Sequence, residues 1–221
     1  TNSGAVANVT VTFTSYNGIA QAAQNFKAPL ILRGISSAGK EWNTVMAIQN
    51  TNSGAVANVT VTFTPDPAVG LGNAHVATNA IAAGGVWYLR QQDQTELGAP
   101  FFGSAVIESA DQDVAVVVNS GTSDGAGLIA YPTFISGSAE VFLPGAMKNI
   151  PSLGDNYFTS LTIVNMGTDP VDVEVEYQAL SGTVGSPYTV SVDTSKTIDQ
   201  RTDANISSAT FMGAIKLTAS G

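Results

Sequence analysis

Apolar and polar residues alternate with period two along much of this chain. Val9-Thr10-Val11-Thr12-Phe13 does so, as do Val59 to Phe63 and Val171 to Tyr177. Side chains of a β-strand point to opposite faces in turn, so each run predicts a strand with one dry and one wet face. Ala105 to Ile107, Val114 to Val118, Leu161 to Val164 and Ile215 to Leu217 are further strand candidates. Turn-forming clusters separate them: Asn52-Ser53-Gly54, Pro65-Asp66-Pro67, Ser120 to Gly125 and Gly167-Thr168-Asp169-Pro170. No stretch holds a helical apolar period for three turns, and Ile19 to Gln24 has room for a turn or two of helix. Short strands with polar turns predict antiparallel sandwiches.

A repeat sets the expected architecture. Trp42 to Asn50 aligns with Tyr157 to Asn165, Val59 to Phe63 with Val173 to Tyr177, and Phe101 to Ile107 with Phe211 to Leu217. Three blocks in one order predict two copies of one β-unit. The first copy continues into Val114 to Val118 and Leu128 to Phe134, but the second stops at Gly221 without that pair of strands. At the other end of the chain, Val9 to Ser15 resembles Val114 to Ser120, and Phe26 resembles Phe134. The expected organisation is a donor β-segment over 1–26, a first sandwich over 27–137 and a second over 138–221 that lacks its last strands.

A sandwich short of strands has an open edge and an apolar slot. Residues 1–26 are expected to fill it, most productively in the next molecule, with Val9, Val11, Phe13 and Phe26 as inward side chains. Head-to-tail addition of this kind builds a fibre. Thr1 to Thr14 is also identical to Thr51 to Thr64. The segment therefore has two candidate registers, the last-strand slot or the place of strand 51–64. Filling within the same molecule is the other open possibility.

Composition narrows the function. Charged residues make up only 11% of the chain, and the net charge is −9, which argues against a nucleic-acid partner. No apolar run approaches the ~18 residues of a membrane span. With no cysteine, disulfides and thiol chemistry are excluded, and one histidine excludes a multi-histidine metal site. Abundant Thr, Ser and Asn predict an extracellular or surface-exposed β-protein. The start at Thr1 is expected to reflect either a removed leader or an excerpt from a longer repeat protein.

Pro29-Leu30 and Leu143-Pro144, Trp42-Asn43-Thr44 with Ile48-Gln49-Asn50, Phe102 to Val106 and Val114 to Asn119 together resemble tandem Ig-like modules of secreted bacterial surface proteins. The resemblance implies β-sandwich modules with a surface or filament role. It supplies no catalytic residue.

Candidate chemistry is sparse. His75 has no G-x-S-x-G elbow to serve and reads as non-catalytic. Asp111 and Asp113, and the group Asp169, Asp172, Glu174 and Glu176, lack the closing ligands of a calcium loop. No metal, cofactor or enzyme activity is expected. Asn8, Asn58 and Asn205 match the N-glycosylation acceptor. Trp42 and Tyr157 occupy equivalent repeat positions and read as packing residues, whereas Trp87 and Tyr88 form a candidate ligand surface. The leading expectation is an all-β subunit of an extracellular filament whose partners are copies of itself. The alternative is an adhesin or carbohydrate-binding module with glycan partners.

Overall fold

The computed structural model describes residues 22–220, apart from 38, 68, 126–127 and 153–154. The described chain is all-β. Its strands in the first half are β1 (Asn25–Arg33), β2 (Ile35–Ser37), β3 (Lys40–Asn50), β4 (Ala57–Pro65), β5 (His75–Ile81), β6 (Val86–Arg90), β7 (Phe101–Ser109), β8 (Val114–Thr122) and β9 (Leu128–Pro132). The second half has β10 (Glu140–Lys148), β11 (Ile150–Ser152), β12 (Asp155–Tyr157), β13 (Ser160–Val164), β14 (Val171–Ser181), β15 (Tyr188–Val192), β16 (Ser195–Asp199) and β17 (Phe211–Ser220). Among the described residues there is no α-helix, and so none long and apolar enough to cross a membrane. The only helical turns described are two short 3-10 turns, Gln91–Asp93 and Thr95–Leu97. The short helix expected near Ile19 to Gln24 does not form over 22–24, where Ala23 instead pairs with Val114.

The strands form several antiparallel sheets. In the first half one sheet runs β1-β7-β4-β5, and the other runs β2-β3-β8-β9 with β6 also on β3. In the second half the orders are β10-β17-β14-β15 and β13-β16, with β11 and β12 as a small hairpin. Alternation along each strand buries one side. Ala57, Val59, Val61 and Phe63 of β4 are buried, and so are Val173, Val175 and Tyr177 of β14. The buried side chains fall into two separate clusters, each drawing on both sheets of its own half.

The halves share structural detail as well as strand order. β1 pairs with β7 and β10 with β17, each with one register shift, between Ala28 and Ile31 and between Leu143 and Ala146. Gly103 and Gly213 sit opposite the residues that follow these shifts. A Cβ on Gly103 would lie 2.2 Å from the Thr64 carbonyl oxygen, and one on Gly213 would lie 2.1 Å from that of Gln178. Only glycine permits so close a backbone approach. The end of β3 is fastened by Asn50, whose Nδ2 donates to the carbonyls of Ala55 (2.7 Å), Ile81 (3.0 Å) and Ala82 (3.2 Å). Asn165 repeats this after β13, donating to the carbonyls of Asp169, Val192 and Asp193.

One expected boundary changes. Phe26 lies in β1, opposite Ile107, and is 2% exposed within the core of the first half. Its structural counterpart is Val141 of β10, opposite Leu217, and not Phe134. Phe26 is therefore part of the first core and is not available as a donor side chain. A separable segment must end before Ala23.

Candidate functional site

β3 has neighbours on both edges, β8 on one and β2 with β6 on the other. Its counterpart β13 pairs only with β16 among the described residues. The other edge of β13 borders a groove of about 650 Å³. Leu143 of β10, Leu161 and Ile163 of β13, Val173 of β14 and Leu217 of β17 line it. Pro29 and Phe134 of the first half line it as well.

The first half shows what such a groove holds. Met46 and Ile48 of β3 face Val118 and Val116 of β8, and all four are buried. Leu161 and Ile163 stand in the places of Met46 and Ile48 and are only half-buried. Val114, Val116 and Val118 send their side chains into the first core at every second position. The second half has no such strand among its described residues. Tyr157 is accordingly exposed where Trp42, paired with Thr122, is half-buried. An edge that no described strand pairs with, beside an apolar groove, has the geometry to take one more strand.

The structure bears on the two candidate registers of the N-terminal segment. The place of strand 51–64 is occupied by β4, paired with both β5 and β7, and its counterpart β14 is paired with β15 and β17. Val9, Val11, Phe13 and Asn8 lie outside the described residues.

The other sequence candidates are dispersed. His75 starts β5 and stacks on Phe63, with ring centroids 6.3 Å apart. Asp111 is engaged by Asn58, accepting from its backbone N–H (3.1 Å) and its Nδ2 (2.8 Å). Asn58 is exposed and Asn205 half-buried. Trp87 packs against the first core, while Tyr88 points outward and is 65% exposed, so the two do not share one surface. Among the described residues no three His, Asp or Glu side chains gather to hold a metal ion.

A polar cluster that sequence reading missed lies inside the second half. The hydroxyls of Tyr177 and Tyr188 donate to Asp203 Oδ2 at 2.7 and 2.5 Å. Burial pushes the Tyr177 hydroxyl up to about 12, helped by its bond to Asp203, and pushes that of Tyr188 up as well. Burial alone would raise Asp203, yet the two hydroxyls and the Asn205 amides hold it below the usual carboxylate range. Phe63 stands in the place of Tyr177, so nothing in the repeat signals this pair. With both hydroxyls spent on one carboxylate, the cluster fastens the 199–207 loop to the sheet.

No family model, curated protein or solved structure matches this chain.

Proposed function

We propose that this protein is a structural subunit of an extracellular filament, built from two tandem Ig-like β-sandwich units and assembled head-to-tail by strand exchange. The edge of β13 that no described strand covers, and the apolar groove beside it, carry this reading. The occupant is residues 9–14 of a second copy. Val9-Thr10-Val11-Thr12-Phe13 offers apolar side chains at every second position, as Val114, Val116 and Val118 do in the first half. Because Val116 faces Ile48 and Val118 faces Met46, Val11 is assigned opposite Ile163 and Phe13 opposite Leu161. Each donated strand contributes an apolar ridge and a ladder of main-chain hydrogen bonds. The donor's own groove stays open for the next copy, so the contact propagates.

Light scattering with electron microscopy tests the proposal. Long uniform fibres are expected from the full chain, and none from a chain lacking residues 1–21. A full chain that remains a 22.6 kDa monomer, or fibres that survive the deletion, contradict it.

A further inference from the structure

The two halves of the chain meet through polar groups. Lys27 Nζ donates to the carbonyls of Asn165 (2.6 Å) and Gly167 (3.2 Å). The Thr197 backbone N–H donates to Oδ2 of the buried Asp66 at 3.1 Å. Ser195 Oγ–H donates to Ser104 Oγ at 3.3 Å. The first half contributes Lys27, Asp66 and Ser104, and the second contributes the end of β13 and the strand β16.

Strand register carries each position onto the other half. Ser195 faces Val164 as Val86 faces Gln49, and Thr197 faces Thr162 as Tyr88 faces Ala47. Lys27 corresponds to Phe142, and Ser104 to Ala214. Pro65 and Ala179 both face the key glycines, Gly103 and Gly213; the register then shifts, so that Leu180 is an extra residue beside Ser181, which faces Met212 as Asp66 meets Phe102. Large apolar side chains thus stand at or beside several of these positions on the outer faces, next to the charged Glu140, Glu174, Glu176 and Lys216 of the second-half face. Ser104 with Ser195 becomes Ala214 with Val86, and Asp66 with Thr197 becomes Ser181, beside the bulged Leu180, with Tyr88. The unused face of the second half exposes Phe142 (64%) and Leu180 (79%). The unused face of the first half exposes Val86 (42%) and Tyr88 (65%). Large apolar side chains left in water on two matching faces mark an interface.

We infer that the Val86–Tyr88 face of one copy packs on the Phe142–Leu180 face of a second copy, in the arrangement that the two halves adopt within the chain. The partner is this same protein, and the contact is heterologous, so it repeats along a row of copies. It adds a second contact to the strand exchange proposed above. It also gives Tyr88 a role as an aromatic anchor.

Thiol cross-linking tests it, since the chain has no cysteine of its own. A Tyr88→Cys chain is mixed with a Leu180→Cys chain and treated with a short bismaleimide. The expected product is a covalent heterodimer in clear excess over what either chain gives alone. A yield no greater than that of the single chains overturns the inference. Tyr88→Ser and Leu180→Ser alter exposed side chains and leave both cores intact. Each is expected to raise the concentration needed for assembly on the order of tenfold, and assembly unchanged in both also overturns it. A disulfide between Val11→Cys and Ile163→Cys reads the strand exchange separately. Formation of that bond without the 88–180 product leaves strand exchange standing and removes this contact. The reverse outcome removes strand exchange and keeps this contact.

Discussion

Replacing Val11 with aspartate strikes the proposed strand exchange at its centre. The corresponding residue of the first half, Val116, is 1% exposed and faces the fully buried Ile48. Full burial of a valine side chain is worth about 1.5 kcal/mol or more, and an unpaired carboxylate in the same place costs several more. A combined loss of ~4 kcal/mol corresponds to a roughly thousandfold weaker contact. Sedimentation of serial dilutions measures this as the lowest concentration that still yields fibres. Val11→Asp is expected to abolish fibres at concentrations where the parent chain assembles fully. Thr10→Asp is the control. Thr10 takes the place of Ala115, on the opposite face of the strand from the buried valines, so its effect should stay within about threefold. Equal assembly by Val11→Asp and the parent chain would refute the reasoning, as would equal damage from the two variants.

Four further outcomes are expected. Asn50→Ala removes one donor from each of three carbonyls, of which that of Ala82 keeps the Gly85 N–H, and the acceptor of the Asn52 N–H, which should cost about 2 kcal/mol or more and show as a lower melting temperature. Gly213→Ala should destabilise the second core selectively, because its Cβ would meet the Gln178 carbonyl; hydrogen exchange confined to residues 140–220 is the readout. Asp203 is held below its unfolded value of about 3.9, so its contribution is complete above that pH and is lost as pH falls through the folded value; Asp203→Asn should flatten the acid limb of stability against pH. Tyr177 and Tyr188 are raised, so only the unfolded chain releases their protons just above pH ~10 and stability falls as pH rises from there; Tyr188→Phe should reduce that alkaline loss in thermal melts.

The repeat was legible because its most constrained positions are local in sequence. Asn50 and Asn165 close the same corner, and Gly103 and Gly213 sit at the same close approach, so their flanking motifs match. The expectation of an open strand position came from the block that the second copy lacks, and among the described residues β13 pairs only with β16. Phe26 was misread because its neighbours look like those of Phe134, whereas its true counterpart, Val141, is fixed only by pairing with β17, some 70 residues away. β5 and β6 escaped the period-two reading because most of their residues are exposed, leaving few apolar positions to count. The Tyr177–Tyr188–Asp203 cluster joins positions that share no motif. The large apolar side chains at or beside the outer junction positions become visible only when non-adjacent strands of both halves are in register.

The proposed strand exchange sets residues 9–14 of another copy on the edge of β13. Val11 and Ile163 are assigned to a directly opposed antiparallel pair. The bond from the Thr51 N–H to the Asp113 carbonyl sets the β3–β8 phase and makes the model pair, Ile48 with Val116, a non-hydrogen-bonded one. Cα atoms in such a pair lie about 4.5 Å apart, within the range of a disulfide. The full chain carrying both Val11→Cys and Ile163→Cys should therefore be oxidised and run on a non-reducing denaturing gel. A ladder of covalent multimers that collapses on reduction is the predicted result. A monomer with an internal disulfide means that the strand closes its own molecule, and a monomer with two free thiols means that it does not enter this groove; either contradicts the account.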